Sequence, residues 1–265
     1  MHTVAAIQMI SGASVAHNLA RAGELIAEAA SAGATLVLLP EYWVIIGHSD
    51  TDKLAHAEQP GQGPVQDFMA ASALLHHIWL IGGTLPLCSD HPGKVCNTTL
   101  VYDPLGQCVA RYDKMHLFGF CNGSEAYDEA RTIVAGKTVA SFEAPLGRVG
   151  LSVCYDLRFP ELYRALGSCA LIVVPAAFTH TTGLAHWEIL LRARAIENQC
   201  YVLAAAQGGL HENGRRTWGH SMLIDPWGHI VAQLAQGEGV ITGEIDAQFL
   251  RSVRANLPAL THRIL

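Results

Sequence analysis

Two short runs, Leu36-Val37-Leu38-Leu39-Pro40 and Leu171-Ile172-Val173-Val174-Pro175, constrain this chain more than any other feature. Neither alternates apolar with polar residues. Continuous apolar text of this length fits a strand buried on both faces, whereas a half-exposed strand would show a polar residue at every second place. Such a strand needs a covering layer on each side.

The rest of the text supplies those layers. Thr3 to Met9 reads as a strand, and Ser14 caps a helix in which Val15, Leu19, Ala22, Ile26 and Ala30 recur at helical spacing. Thr35 to Leu39 is the first fully buried strand. Pro64 opens a helix through His77, and Ile78 to Gly82 is a strand. Further strands are expected at Val95 to Tyr102, Gln107 to Tyr112, Thr138 to Ala144, Arg148 to Cys154, Leu171 to Val174 and Tyr201 to Ala206. Ser221 to Ile224, Ile230 to Leu234 and Val240 to Ile245 complete the strand text, with helices at Ala185 to Asn198 and from Ala247. Strands alternating with helices favour a layered α/β fold.

Each half also carries a D-P-x-G turn, Asp103-Pro104-Leu105-Gly106 and Asp225-Pro226-Trp227-Gly228, between two strands. Either D-P-x-G is simply a good turn, or the chain is a pseudo-symmetric sandwich of two mixed sheets covered by helices. No Pro/Gly/Ser-rich linker divides the chain, so residues 1–265 read as one domain, with a core over about 2–246 and a C-terminal extension.

Half of the 265 residues are hydrophobic and 15% are charged, which is ample apolar material for a full core. The net charge of −6 with scattered Lys and Arg gives no nucleic-acid or membrane surface. There is no signal-peptide pattern and no spanning apolar stretch, so a cytoplasmic protein is expected. The seven cysteines contain no C-x-x-C, which suggests neither a disulfide framework nor structural zinc. Most of them read as inert core residues.

The most informative segment is Gly150-Leu151-Ser152-Val153-Cys154-Tyr155-Asp156-Leu157-Arg158-Phe159-Pro160-Glu161. An apolar strand stops at Cys154, and a helix follows the turn. A thiol there faces free backbone N–H groups, which suits a nucleophile; a buried structural cysteine is the alternative. A nucleophilic thiol needs a base, and none of the 14 histidines sits in comparably specific text. Glu41 directly follows the buried strand, where ligands bind in α/β sheets and where partial desolvation favours base work; alone, it would read as a loop Glu. Lys114 follows another strand and could hold a developing negative charge, or be a solvated surface charge. Glu129 is a weaker candidate that could orient Lys114 or the substrate. Arg158 can bind a substrate carboxylate or pair with Asp156 or Glu161. Tyr42 and Phe178 can line a pocket or pack in the core.

Gly136-Lys137-Thr138 looks like the end of a P-loop, but Arg131 occupies the required upstream glycine position. The charges of His186 to Glu197 pair at helical spacing (Glu188 with Arg192, Arg194 with Glu197), so that helix reads as structural or interfacial.

Taken together, Leu38-Leu39-Pro40-Glu41, Tyr112-Asp113-Lys114-Met115-His116-Leu117, Gly150 to Leu162 and Trp218-Gly219-His220-Ser221 resemble the nitrilase superfamily of carbon–nitrogen hydrolases over nearly the whole chain. The resemblance implies a four-layer α-β-β-α sandwich and a catalytic Glu, Lys and Cys at Glu41, Lys114 and Cys154. It places the family's supporting Glu on Glu129, and it implies homodimers or higher oligomers, no metal and no organic cofactor. Cys154-Tyr155-Asp156-Leu157-Arg158-Phe159-Pro160-Glu161-Leu162 and Ala177 to Glu188 are similar to the amidase branches acting on small α-keto-acid amides, the deaminated-glutathione amidases and ω-amidases. The implied reaction is hydrolysis of the carboxamide of a small α-keto-acid amide, deaminated glutathione first among them, to a carboxylate and ammonia, through a Cys154 thioester with Lys114 and the Tyr155 backbone N–H on the oxyanion. An ω-amidase, a carbamoyl-amide hydrolase and a non-catalytic binding protein on the same fold are the alternatives. One departure is the segment Gly119 to Ser124, where the family usually carries an acidic residue.

Overall fold

In the computed structural model, which describes residues 1–123 and 125–264, both apolar runs lie inside sheets. β1 (His2–Gln8), β2 (Leu36–Leu38) and β3 (Trp79–Ile81) run parallel. β4 (Leu85–Cys88) and β6 (Cys108–Asp113) flank β5 (Val95–Tyr102) as antiparallel partners, and β5 is antiparallel to β3. β7 (Gly119–Cys121) and β8 (Ala126–Asp128) form a separate hairpin, and β9 (Ile133–Val134) joins β5. The second sheet follows chain order: β10 (Ser141–Ala144), β11 (Gly147–Leu151), β12 (Leu171–Ala176), β13 (Tyr201–Ala206), β14 (Ser221–Ile224) and β15 (Ile230–Leu234). β11 to β13 are parallel, and β16 (Gly239–Ile245) returns to pair antiparallel with β1.

The two sheets face each other through β1 against β13 and β14 against β16. Helices α1 (Val15–Ser31) and α2 (Pro64–His76) cover the first sheet, while α3 (Pro160–Ala165) and α4 (His180–Asn198) lie with the second. α5 (Ala247–Asn256) ends the described fold. The result is the α-β-β-α sandwich with two mixed sheets. Its layering explains the apolar runs: Val4, Ala6, Leu36 and Leu38 face the core between the sheets. The alternate residues Ala5, Ile7, Val37 and Leu39 face Leu25, Ile26 and Met69 of the helices. From Val4 to Ile7 of β1 and along β2 no position is left for a polar residue. The two D-P-x-G turns are built alike: the Asp103 and Asp225 carboxylates each accept two backbone N–H groups of their own loop.

Three differences from the sequence reading have physical reasons. α4 begins at His180, five residues earlier than expected, because Thr179 caps it by accepting the Thr182 N–H; Gly183 lies against Trp218 where a Cβ would not fit. β4 was hidden by Pro86, which a strand at the sheet edge tolerates. Cysteines are less uniformly core than expected: Cys154, Cys169 and Cys200 are buried, but Cys108 and Cys121 are exposed. Among the described residues, no helix is long and apolar enough to cross a membrane.

Strand directions fix where chemistry can gather. β6 is antiparallel to β5, and β5 to β3, so β6 points the same way as β2. Met9 and Gln207, just past β1 and β13, form a parallel bridge. The carboxyl ends of both sheets therefore meet along one edge.

Candidate active site

Glu41, Lys114 and Cys154 meet at that edge, each just beyond the carboxyl end of its strand (β2, β6 and β11). Glu41 is 1% exposed and Lys114 0%. The Lys114 ammonium donates to Glu41 Oε1 at 2.8 Å and lies 2.9 and 2.8 Å from the two oxygens of Glu129. Asn97 Nδ2 also donates to Glu41 Oε1 at 3.0 Å, and the Ala177 N–H, just past β12, donates to Oε2 at 2.9 Å. Two glycines make the approach possible. A Cβ on Gly83 would lie 2.0 Å from the Pro40 carbonyl behind Glu41, and one on Gly136 would lie 2.0 Å from the Asp113 carbonyl beside Lys114. Gly136, whose text imitated a P-loop, is thus a packing glycine.

Cys154 stands at a sharp turn. Val153 is extended, Cys154 has φ 49°, and a 3-10 turn over Cys154–Arg158 follows at once. A non-glycine residue in the left-handed region stores roughly 1–3 kcal/mol of strain, which surrounding contacts must hold. Asp156 holds it here. It is fully buried and accepts from Val153 N at 2.8 Å, Tyr112 Oη at 2.6 Å, and His116 N and Nδ1 at 3.0 and 2.7 Å. It therefore ties the turn bearing the thiol to the segment bearing Lys114. The N–H groups of Cys154 and Tyr155 open that turn and have no acceptor among the described residues.

Burial pushes the Cys154 thiol well above its ordinary pKa. The negative charge of Glu41 adds to the rise, and Lys114 works against it. Burial pulls Lys114 down, but the carboxylates of Glu129 and Glu41 outweigh it and hold the ammonium above the usual lysine value. Burial raises Glu129, and the Lys114 charge together with hydrogen bonds from Lys114, the Phe118 N–H and Tyr42 more than reverses this. Two carboxylates and one ammonium leave the buried cluster at net −1 when the thiol is neutral.

The remaining candidates fall around this cluster. Tyr42, with φ 56°, donates its hydroxyl to Glu129 Oε1 at 2.7 Å and so supports the carboxylate as well as lining a cavity. Phe178 both packs on Trp187 and lines the cleft at Cys154. Arg158 also lines that cleft. It pairs with neither Asp156 nor Glu161; its guanidinium sits 5.4 Å from the Phe178 ring and 3.3 Å from His186 Nδ1. The segment Gly119 to Cys121 is a strand of the β7–β8 hairpin; Ser124 lies outside the described residues. That hairpin hands back Glu129, which also accepts the Phe118 N–H at 2.7 Å. A larger cavity of about 300 Å³ adjoins the cleft and shares Phe118, Glu129 and Arg215 with it. No group of three or more His, Cys, Asp or Glu among the described residues is placed to hold a metal ion.

Sequence reasoning missed Asn97, Asp156, Arg215 and the Ala177 N–H. Asp156 alone left a signal, an acidic residue two places after the turn cysteine.

A layered fold that buries a thiol, two carboxylates and an ammonium at one edge of strand ends is the frame of a hydrolase. The chain belongs to the carbon-nitrogen hydrolase family, whose profile matches residues 3–255. It is 40% identical over 264 residues to a deaminated glutathione amidase from Yersinia enterocolitica, covering 98% of this chain and 92% of that protein. A nitrilase-superfamily protein of branch 10 from Saccharomyces cerevisiae superposes with a TM-score of 0.85 at 31% identity, covering 97% of this chain and 94% of that one. An amidase from Nesterenkonia sp. AN1 superposes at 0.80 with 26% identity, covering 97% and 98%; in that structure acrylamide has added to the active-site cysteine of a Glu-to-Gln mutant.

Proposed function

We propose that this hydrolase cleaves the amide bond of a small α-keto-acid amide, deaminated glutathione being the compound by which relatives at about 40% identity are named. The observation that carries the reading is the buried Glu41 carboxylate: it accepts from the Lys114 ammonium and lines one cleft with Cys154. The thiol is held protonated at rest, so nucleophile formation and proton removal belong to one step. Glu41 takes the proton as sulfur attacks the amide carbon. The oxyanion forms between the Lys114 ammonium and the Tyr155 N–H. Glu41 then returns the proton to the leaving nitrogen, a thioester to Cys154 remains, and Glu41 activates the water that releases the acid. Glu129 keeps Lys114 charged and in place. A glutathione-derived substrate contains only secondary amides, so its leaving group is an amine; a primary carboxamide releases ammonia.

The proposal includes a homodimer or higher oligomer working in the cytoplasm, with residues 1–265 acting as one domain. Exposed Ile189 and Ile196, seven residues apart on one face of α4, supply apolar surface for self-association, and seven cysteines without a disulfide fit a reducing compartment. Cys154→Ala tests the chemistry: hydrolysis of deaminated glutathione falls to background while the melting temperature is kept. Turnover at a near wild-type rate in that variant rejects the reading.

A further inference from the structure

The roughly 300 Å³ cavity beside the thiol cleft is not needed for the bond-breaking step, yet two cations line it, Lys53 and Arg215. Neither has a carboxylate within ion-pair distance among the described residues. Lys53 Nζ donates to Thr132 Oγ1 at 3.1 Å and lies 5.7 Å from the Tyr42 ring. Burial pulls its pKa down, the mark of an ammonium that has lost water without gaining a full counter-charge. Arg215 donates one N–H, from Nη2, to the Ala177 carbonyl at 2.9 Å, and its guanidinium sits 5.4 Å from the Tyr127 ring. Its Nε is shielded from solvent and has no hydrogen-bond partner. A buried donor left open costs about 1–3 kcal/mol, and Arg215 lines the cavity with guanidinium donors to spare.

Three acids line the same cavity, Asp50, Asp128 and Glu129, and none forms an ion pair with Lys53 or Arg215. Glu129 is committed to Lys114, the Tyr42 hydroxyl and the Phe118 N–H. Asp128 caps the Ala130 N–H, and Glu125 accepts from Thr181. Asp50 lies on the exposed rim, where it attracts Lys53 without forming an ion pair. Arg215 lines both spaces, so a ligand in the cavity is continuous with an amide at Cys154.

We propose that this cavity is a subsite for a carboxylate at the end of the substrate remote from the scissile bond, received by Lys53 and by the guanidinium of Arg215. The inference rests on the amidase reading above and adds the charge of the substrate's far end. In deaminated glutathione that group is the glycine carboxylate.

The test separates binding from turnover. Calorimetric titration of the Cys154→Ala protein compares deaminated glutathione with its glycine ethyl ester, which masks only the remote carboxylate. The expected result is roughly 10- to 100-fold tighter binding of the acid. Lys53→Met should remove most of that preference, and Lys53→Arg should restore it. Equal affinity for acid and ester, no measurable binding of either, or a preference unchanged in Lys53→Met overturns the subsite. Acylation of Cys154 in the wild-type protein, read by intact mass, is a separate measurement. If the subsite fails while Cys154 is acylated, the amidase reading stands. If acid–ester discrimination holds without acylation, the subsite stands and that reading falls.

Discussion

Asp156→Asn is the sharpest probe of how the thiol is held. Oδ1 accepts from His116 N and Nδ1, and Oδ2 accepts from Val153 N and Tyr112 Oη. His116 can change tautomer and Tyr112 can rotate its hydroxyl, but the two backbone N–H groups cannot change role. Whichever way the amide is turned, its NH₂ must face one of them. The variant therefore buries one opposed donor pair, at about 1–3 kcal/mol, and loses the charge-assisted strength of the other bonds. A total of about 2–4 kcal/mol lowers the melting temperature by roughly 5–15 °C for a chain of this size. The strained Cys154 turn then relaxes, so kcat should fall at least about 100-fold, beyond what unfolding explains. Calorimetry with steady-state kinetics at 25 °C reads both. Tyr112→Phe, which removes one of the four bonds, should cost only about 1 kcal/mol. A melting temperature for Asp156→Asn within 2 °C of wild type, with activity retained, would refute the argument.

Glu129→Gln removes one negative charge beside Cys154, so alkylation of the thiol by iodoacetamide should shift to lower pH while kcat falls at least about 10-fold; an unmoved labelling profile contradicts the assigned electrostatics. Gly83→Ala should abolish most activity because the new methyl meets the Pro40 carbonyl, whereas Gly33→Ala, with open space around it, should cost about 1 kcal/mol and no activity. Burial, aided by the charge of Arg215, pulls buried His211 down to about 4. Between pH 6.5 and 4 the unfolded chain binds the extra proton, so stability is lost as pH falls through that window, by up to roughly 3 kcal/mol. Urea melts at pH 7 and pH 4.5 should show a smaller difference in His211→Gln than in wild type.

Much of this arrangement was legible because apolar strands announce their own ends. Glu41 and Cys154 each follow a run buried on both faces, and Lys114 follows β6, so their local text carries the placement. The helix caps and D-P-x-G turns are equally local. Glu129 is different: Tyr127-Asp128-Glu129 reads as a solvated loop, and only family resemblance marked it, since the β7–β8 hairpin brings it home. Asn97 lies in ordinary strand text, and its bond to Glu41 depends on strand pairing that spans 56 residues. Arg215 sits in Glu212-Asn213-Gly214-Arg215-Arg216, indistinguishable from an exposed turn until the cavity around it is seen.

Acid-quench mass spectrometry of the wild-type protein during turnover of deaminated glutathione measures the central event directly. The account predicts a transient adduct with the mass of the keto-acyl group on the peptide containing Cys154, and its loss in Cys154→Ser. Steady hydrolysis with Cys154 unmodified at every quench time, or an adduct on another cysteine, would contradict it.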